Sequence, residues 1–242
     1  MRQDESTLKW KDVRYLPVTS LNPQHHRTVW VIDDFYKDPY AVRDFALKQE
    51  FTFNPGYHEG QRTKKQFFVP GTKQTLERIM GIRITEWESH PMNGRFQLTL
   101  PTDDIVYHWD QQTWAALLYL TPDAPYECGT SLYSSKDGTR NMRDWRDDSV
   151  FGIQAVRKDE DDTDVTLPVV LSLVPTDGEG DIVIDGVGYE RCKDRDKFNV
   201  VDSIGNVFNR LFIFDARCIH AASKFFGTNK EDARLFQVFF FD

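Results

Sequence analysis

The order of hydrophobic and polar positions predicts helices in the first part of the chain and many short strands after them. A strand of sequence Thr28-Val-Trp-Val-Ile precedes Asp38-Pro39, which is typical of a helix start, with Asp at the N-cap and Pro in the first turn. We expect this helix to end near Gln49, and a second amphipathic helix over residues 72–81. Both helices are expected to cover one face of a sheet.

From Arg95 onward the hydrophobic period changes to the two-residue period of strands. Residues 95–100 alternate polar and apolar side chains and predict a half-buried strand. An apolar run over residues 113–121 is followed by Pro-Asp-Ala-Pro, and residues 129–134 resemble a returning strand, so a hairpin is predicted here. The final segment, residues 234–242, is apolar on both faces and should therefore be covered on both sides.

The domain organisation follows from the same pattern. A chain of 242 residues suits a single domain over 1–242, because β barrels and sandwiches of this size commonly remain undivided. We expect an N-terminal strand and helices at 28–94 and a β-rich core at 95–242. The core should carry a long insertion at about 136–206, where the sequence is strongly charged and irregular. The predicted class is α+β, mainly β, with a jelly roll as the main body.

Composition narrows the classes of partner. No apolar run approaches the roughly 18 residues of a membrane helix, and a net charge of −8 argues against a nucleic-acid partner. The N-terminus lacks the pattern of a signal peptide, and the three cysteines show no pairing pattern, which fits a reducing compartment. We therefore expect a cytoplasmic protein, without a membrane segment, that acts on a small molecule or a peptide. The sequence does not indicate an oligomeric state.

Three residues of metal-ligand type stand in predicted strands or next to them. His108 and Asp110 are two positions apart, so in an extended segment both side chains point to the same face. His220 follows residues 209–216, which also predict a strand. Two histidines and one carboxylate on one face of a metal leave the opposite face open, as in non-haem Fe(II) oxygenases. The sequence therefore predicts an open metal site rather than a structural one.

Several segments taken together resemble the Fe(II)/2-oxoglutarate-dependent oxygenases, most closely the prolyl 4-hydroxylase-like branch. The resemblance covers about residues 95–135 and 207–242, and the segments follow the family's order. It implies a double-stranded β-helix, which is a cupin-like jelly roll, with N-terminal supporting helices. The segments are Tyr107-His-Trp-Asp, Ala116-Leu-Leu-Tyr-Leu-Thr-Pro, Cys128-Gly-Thr-Ser-Leu-Tyr, Arg210-Leu-Phe-Ile-Phe-Asp, Ile219-His and the strand that begins at Arg234.

The resemblance assigns roles to five residues. By it, His108, Asp110 and His220 would bind Fe(II). Arg234 would pair with the distal carboxylate of 2-oxoglutarate, a task that suits a guanidinium because its fixed fork gives two charge-assisted hydrogen bonds. Tyr119 would help to hold the same carboxylate through its hydroxyl.

The reaction implied by the resemblance uses Fe(II), 2-oxoglutarate and O2, with ascorbate as a candidate reductant. It would hydroxylate a peptide side chain or a small metabolite and release succinate and CO2. Asp110 argues against the halogenase variant of this superfamily, in which a small residue replaces the carboxylate to make room for chloride. Trp109 is a candidate for substrate contact, although an aromatic residue in a strand more often serves packing.

Two other functions remain open from the sequence. A cupin-like metalloprotein would use the same three ligands without 2-oxoglutarate, and a non-catalytic jelly-roll module would bind carbohydrate or protein without a metal. Arg234 separates the first of these from an oxygenase, because only the oxygenase needs it for the cosubstrate. Cys218 near His220 raises the question of a zinc site, but a closed zinc site needs about four ligands and the other cysteines lack the spacing.

Overall fold

The computed structural model describes residues 29–53, 60–110, 112–136 and 193–242 in full, and the backbone of 154–158, 164–168 and 183–184. No helix within these residues combines the length and the apolar character needed to cross a membrane. The helices are α1 (Pro39–Leu47) and α2 (Thr72–Met80), with a short 3-10 helix at Arg195–Lys197. The strands are β1 (Val29–Ile32), β2 (Phe51–Phe53), β3 (Gln61–Thr63), β4 (Phe96–Thr99), β5 (Trp114–Tyr119), β6 (Thr130–Ser135), β7 (Gln154–Lys158), β8 (Asp164–Pro168), β9 (Val183–Ile184), β10 (Phe198–Ile204), β11 (Leu211–Asp215), β12 (Ile219–Ala222) and β13 (Arg234–Phe241).

Local signals mark the start of α1 and the end of α2. The Asp38 carboxylate accepts a hydrogen bond of 3.0 Å from the backbone N–H of Ala41, which caps α1. This helix ends at Leu47, two residues before the predicted Gln49. Helix α2 ends at Gly81, whose φ of 71° lies in the left-handed region that glycine tolerates.

Two antiparallel sheets form the main body. The larger has the strand order β1-β11-β5-β13-β4-β3-β2, and the smaller has the order β10-β6-β12. His108 adds a single antiparallel bridge to His220 in β12, the edge strand of the smaller sheet. The protein is therefore mainly β with two α-helices among the described residues, an arrangement that is consistent with a β-sandwich or jelly roll.

The predicted hairpin between residues 113–121 and 129–134 is wrong. Strand β5 pairs with β11 and β13 in the larger sheet, whereas β6 pairs with β10 and β12 in the smaller one. The chain between β5 and β6 crosses from one sheet to the other. An apolar run, a turn and a second apolar run look the same in the sequence whether the two strands pair with each other or with other strands. The local pattern therefore could not predict the pairing partner.

The range predicted to be an insertion, 136–206, contains strands of two different sheets. Strand β10 pairs along β6 and so belongs to the smaller sheet of the main body. Strands β8, β7 and β9 form a third, separate antiparallel sheet. The rest of the range, residues 137–153, 159–163, 169–182 and 185–192, lies outside the described residues.

Strand β13 lies at the centre of the packing. It is buried at every position, as its two apolar faces predict. Leu235 and Phe239 pack with α2 and the helix-covered face of the larger sheet. Phe236 and Phe240 face the other way, into the space between the two sheets. We call the apolar side chains in that space the inner cluster; it contains Met92, Ala115, Tyr119, Leu132, Phe212, Phe214, Ala216, Cys218, Phe236, Val238 and Phe240.

The helix-covered core provides a first prediction. Leu118 in β5 is fully buried there, so Leu118→Ala should lower the free energy of unfolding by about 2–5 kcal/mol, measured by urea denaturation. The control is Val31→Ala on the edge strand β1, where the side chain is 43% exposed and the change should stay within about 0.5 kcal/mol. Equal losses in the two variants would contradict the assignment of this face as the core.

Candidate metal centre

Three side chains from distant parts of the chain converge at one end of the inner cluster. The Nε2 atom of His108 lies 3.9 Å from Oδ1 of Asp110, and Nε2 of His220 lies 3.3 Å from Oδ2 of the same carboxylate. One potential ligand atom from each residue lies within 4.8 Å of the others. Two ligand atoms at about 2.0–2.2 Å from one ion lie at most about 4.4 Å apart, and both histidine–aspartate distances are within this limit. The group can therefore hold a metal ion.

The backbone fixes how these residues meet. The N–H of His108 donates to the carbonyl of His220 at 3.1 Å, and the N–H of His220 donates to the carbonyl of His108 at 2.7 Å. The N–H of Asp110 donates to the carbonyl of Ala216 at 2.8 Å. The segment that carries His108 and Asp110 is thus attached at both ends to the β11–β12 region, so the three side chains are brought together by main-chain bonds.

Both imidazole rings are oriented as metal ligands require. Nδ1 of His108 lies 3.0 Å from the carbonyl of Val106, and Nδ1 of His220 lies 2.9 Å from the carbonyl of Cys218. Because a carbonyl only accepts, each Nδ1 carries the proton, and in the neutral ring the Nε2 lone pair stays available. Such bonds to the second ring nitrogen commonly orient histidines that bind metals.

The charges in the group also suit a cation. Burial and the adjacent His220 lower the pKa of His108 to about 4. Burial alone would raise the pKa of Asp110. In their protonated forms His220, through its hydrogen bond and charge, and His108, through its charge, outweigh burial and lower that pKa to about 2. At neutral pH the site therefore presents a neutral His108 and an anionic Asp110. The His108 side chain is 31% exposed, against 7% for His220, so solvent reaches the group from the His108 side.

The depressed pKa of His108 predicts a pH dependence. As the pH falls from 6.5 to about 4, the unfolded chain binds a proton at residue 108 that the folded ring does not bind, so the metal-free protein should lose stability in this window. Urea-denaturation midpoints across the window measure the loss. In His108→Gln the midpoint should fall less steeply with decreasing pH, and an unchanged slope would contradict the assignment.

Arg234 lies at the other end of the inner cluster. Its Nε donates to the carbonyl of Cys128 at 2.9 Å, and its Nη2 donates to the carbonyl of Gly129 and to Oγ1 of Thr130, each at 3.0 Å. The guanidinium is buried and lies 4.5 Å from the ring centre of Phe236. Burial lowers the pKa of Arg234, but arginine stays protonated in proteins. No carboxylate of the described residues lies within ion-pair distance of it.

Tyr119 and two threonines surround Arg234 with hydroxyl groups. The Tyr119 hydroxyl is 2.8 Å from Oγ1 of Thr130, and its ring centre is 5.4 Å from the guanidinium carbon. Burial raises the pKa of Tyr119, so the hydroxyl keeps its proton. Thr99 is the register partner of Arg234 on β4 and shares its face; its buried hydroxyl has no hydrogen-bond partner within the described part of the chain.

Gly129 allows the carbonyl arrangement that holds Arg234. A Cβ atom at this position would lie 1.8 Å from the carbonyl oxygen of Ile204 in β10. Only glycine permits so close an approach of the two strands. The sequence contains this glycine in the segment that begins at Cys128, but only the contact with β10 explains why the position requires glycine.

Sequence reasoning missed several polar residues near these two groups. Thr99 and Thr130 face the inner cluster, and their polar character at inward positions is the signal that could have identified them. Gln112 stands two residues after Asp110 and contacts His90, and neither residue stands in a strand pattern. Trp109 is half-buried, and its role as a substrate contact stays a prediction.

No protein-family model matches this chain, and no curated protein matches it significantly. Two chemical features of the described residues therefore indicate the function: the His-Asp-His group, and the buried Arg234 at the opposite end of the same cluster.

Proposed function

We propose that the protein is a cytoplasmic Fe(II)- and 2-oxoglutarate-dependent oxygenase that hydroxylates a peptide side chain or a small metabolite. The observation that carries this proposal is that Arg234 is buried without a carboxylate partner among the described residues. A buried cation is costly unless an anion compensates it, and the described residues supply none. A carboxylate ligand bound beside these hydroxyl groups would compensate the guanidinium, and the unpartnered hydroxyl of Thr99 adds a further hydrogen-bonding group.

The spacing between the two polar groups supports a dicarboxylate of this size. Thr130, a partner of Arg234, and Leu132 are neighbours on one face of β6, about 7 Å apart along the strand. Leu132 is the register partner of His220. A five-carbon chain has the length to reach from an ion at His220 to the guanidinium. The ring of Phe214, 4.6 Å from that of His220, belongs to the apolar wall between them.

The order of strands supports the double-stranded β-helix. From β4 onward the chain visits the larger sheet at β4, β5, β11 and β13, and the smaller sheet at His108, β6, β10 and β12. The two rows are β11-β5-β13-β4 and β10-β6-β12 with His108 at the edge. Two facing rows of four members are typical of a jelly roll. In this architecture α1 and α2 are the supporting helices on the outer face.

Each named residue would have a distinct task. His108, Asp110 and His220 would hold Fe(II) from one side, and two histidines with one carboxylate suit this metal when further positions stay open. Arg234 would hold the distal carboxylate of 2-oxoglutarate, and Tyr119 would donate its hydroxyl to the same group. With both bound, the metal and cosubstrate supply hydroxylation of a C–H bond by O2, coupled to conversion of 2-oxoglutarate into succinate and CO2. The inner cluster limits access of water.

Two measurements test the proposal. Purified protein should bind one Mn(II) per chain and then 2-oxoglutarate, by calorimetry, and should release succinate when given Fe(II), ascorbate and 2-oxoglutarate in air. Binding of metal without binding or turnover of 2-oxoglutarate would support a cupin-like metalloprotein instead. Absence of a stoichiometric metal ion would support a non-catalytic jelly-roll module.

A further inference from the structure

A pair of polar side chains, His90 and Gln112, lies beside the candidate metal centre. Gln112 stands two residues after Asp110 and is 4% exposed. The His90 ring lies 5.0 Å from the ring of Phe240, a member of the inner cluster. Phe240 aligns across the larger sheet with Ala115 and Phe214, and the Phe214 ring lies 4.6 Å from that of His220, so the pair lies at the metal end of the inner cluster. Burial lowers the pKa of His90 to about 4. Neither His90 nor Gln112 belongs to the metal group or to the hydroxyl groups around Arg234.

The hydrogen bonds of His90 fix where its ring proton lies. The backbone N–H of Met92 donates to Nδ1 of His90 at 3.2 Å. A ring nitrogen that accepts a hydrogen bond carries no proton, so the neutral ring is protonated at Nε2. This Nε2–H points at the side-chain amide of Gln112, with which it is in contact. The structure places the amide nitrogen of Gln112 at this contact, but two N–H groups cannot bond to each other. The only acceptor in a glutamine side chain is its oxygen, so we turn the amide about and assign Oε1 to the end that faces His90.

With the amide turned in this way, its nitrogen takes the position where the structure has the buried, unpartnered Oε1. The two ends of a glutamine amide have nearly the same shape, and hydrogen bonds decide which is which. One end meets His90, and the other end is buried without a hydrogen-bond partner among the described residues. With the oxygen toward His90, the buried end is the NH2 group. A buried donor of this kind is costly to leave unpaired, which favours an acceptor from a bound molecule.

We propose that the Gln112 amide is a substrate-binding group, whose NH2 donates to a carbonyl-type oxygen of the substrate, and that His90 is a positioning residue which orients this amide. This assignment rests on the proposed function and names its substrate class: a compound or peptide with an amide or carboxylate oxygen near the oxidised carbon.

The location separates this group from the cosubstrate pocket. Phe240, against which His90 packs, and Arg234 are six residues apart on β13, which corresponds to roughly 20 Å. Gln112, which contacts His90, therefore lies at the metal end of the inner cluster and away from the proposed site of the distal carboxylate. An acceptor bound to Gln112 belongs to a second molecule rather than to 2-oxoglutarate.

Small probes test the assignment on the full-length protein loaded with Mn(II) and N-oxalylglycine, an inert analogue of 2-oxoglutarate. Acetamide and acetate supply the two kinds of oxygen, and ethylammonium supplies a donor alone. Relaxation of the probes' methyl protons by Mn(II) reports both binding and proximity. Acetamide or acetate should bind near the metal with millimolar affinity, ethylammonium should not, and the tighter of the two identifies the preferred oxygen.

Two variants remove the donor in different ways. Gln112→Glu keeps the shape and the acceptor for His90, and Gln112→Met removes both polar atoms without adding charge. Each should weaken probe binding at least about 10-fold, as expected for one hydrogen bond to a buried group. The matched control is Gln66→Leu, which removes a 2.7 Å bond to the backbone carbonyl of His90 but leaves Gln112 intact, and it should bind the probes as the wild type does.

Three outcomes would overturn the assignment: no probe binding in the wild type, equal binding in both Gln112 variants, or loss of binding in Gln66→Leu equal to that in Gln112→Glu. A readout that needs no metal is the 15N NMR spectrum of His90, which should show protonation at Nε2, and protonation at Nδ1 would also overturn it. Failure to bind Mn(II) or N-oxalylglycine would instead count against the proposed oxygenase, and the substrate assignment would fall with it.

Discussion

The Asp110→Asn protein should bind divalent metal at least about 100-fold more weakly than the wild type, since even residues that only orient metal ligands contribute about 10- to 100-fold. Asp110 supplies the anionic charge of the group, because its pKa of about 2 keeps it ionised at neutral pH. Asparagine has nearly the same shape without that charge. Calorimetric titration with Mn(II) measures the loss, and succinate release should fall to background.

The control for this variant is Asp33→Asn. Asp33 pairs with Arg210 at the surface, with 2.6 Å between Nε and Oδ1, and is not part of the metal group. That variant should bind metal as the wild type does, and the circular dichroism of both proteins should match the wild type. Retention of wild-type affinity by a folded Asp110→Asn protein would contradict the metal assignment.

Local sequence signals predicted the elements that depend on local interactions. Helix α1 has its cap residue Asp38 and its proline in adjacent positions, and α2 stops at Gly81. Strand β13 was predicted because both of its faces are apolar. Strand pairing is different, because partners such as β6 and β10 are far apart in sequence and are selected by packing of the whole sheet.

The candidate site likewise contains residues that the sequence could identify and residues whose roles depend on contacts made only in the folded protein. His108 and Asp110 stand two positions apart, and His220 follows a predicted strand, so the sequence could single them out, and the structure brings them together. The properties of Thr99 and Gln112 depend on what lies opposite them. Thr99 shares the face of Arg234 only through the register of β4 with β13, and Gln112 has an unpartnered amide end only because His90 takes the other.

Arg234→Met should lower the affinity for 2-oxoglutarate by about 100-fold, or about 2.7 kcal/mol, while metal affinity stays near that of the wild type. Methionine fills much of the same volume but cannot compensate a carboxylate. The guanidinium bonds to the carbonyls of Cys128 and Gly129 and not to the metal group, so the two effects should separate. Calorimetry with 2-oxoglutarate on the Mn(II)-loaded protein measures the change.

Arg234→Lys distinguishes charge from geometry at the same position. Lysine keeps the positive charge but lacks the planar fork, so its affinity should lie between those of the wild type and Arg234→Met. The control is Arg78→Met on the exposed side of α2, where Arg78 bonds only weakly to Thr75 at 3.4 Å and 2-oxoglutarate binding should not change. If Arg234→Met binds 2-oxoglutarate as tightly as the wild type while Asp110→Asn still loses the metal, the protein is a metalloprotein whose buried arginine has a structural role. Loss of metal binding in Asp110→Asn together with loss of 2-oxoglutarate binding in Arg234→Met is expected only of the oxygenase.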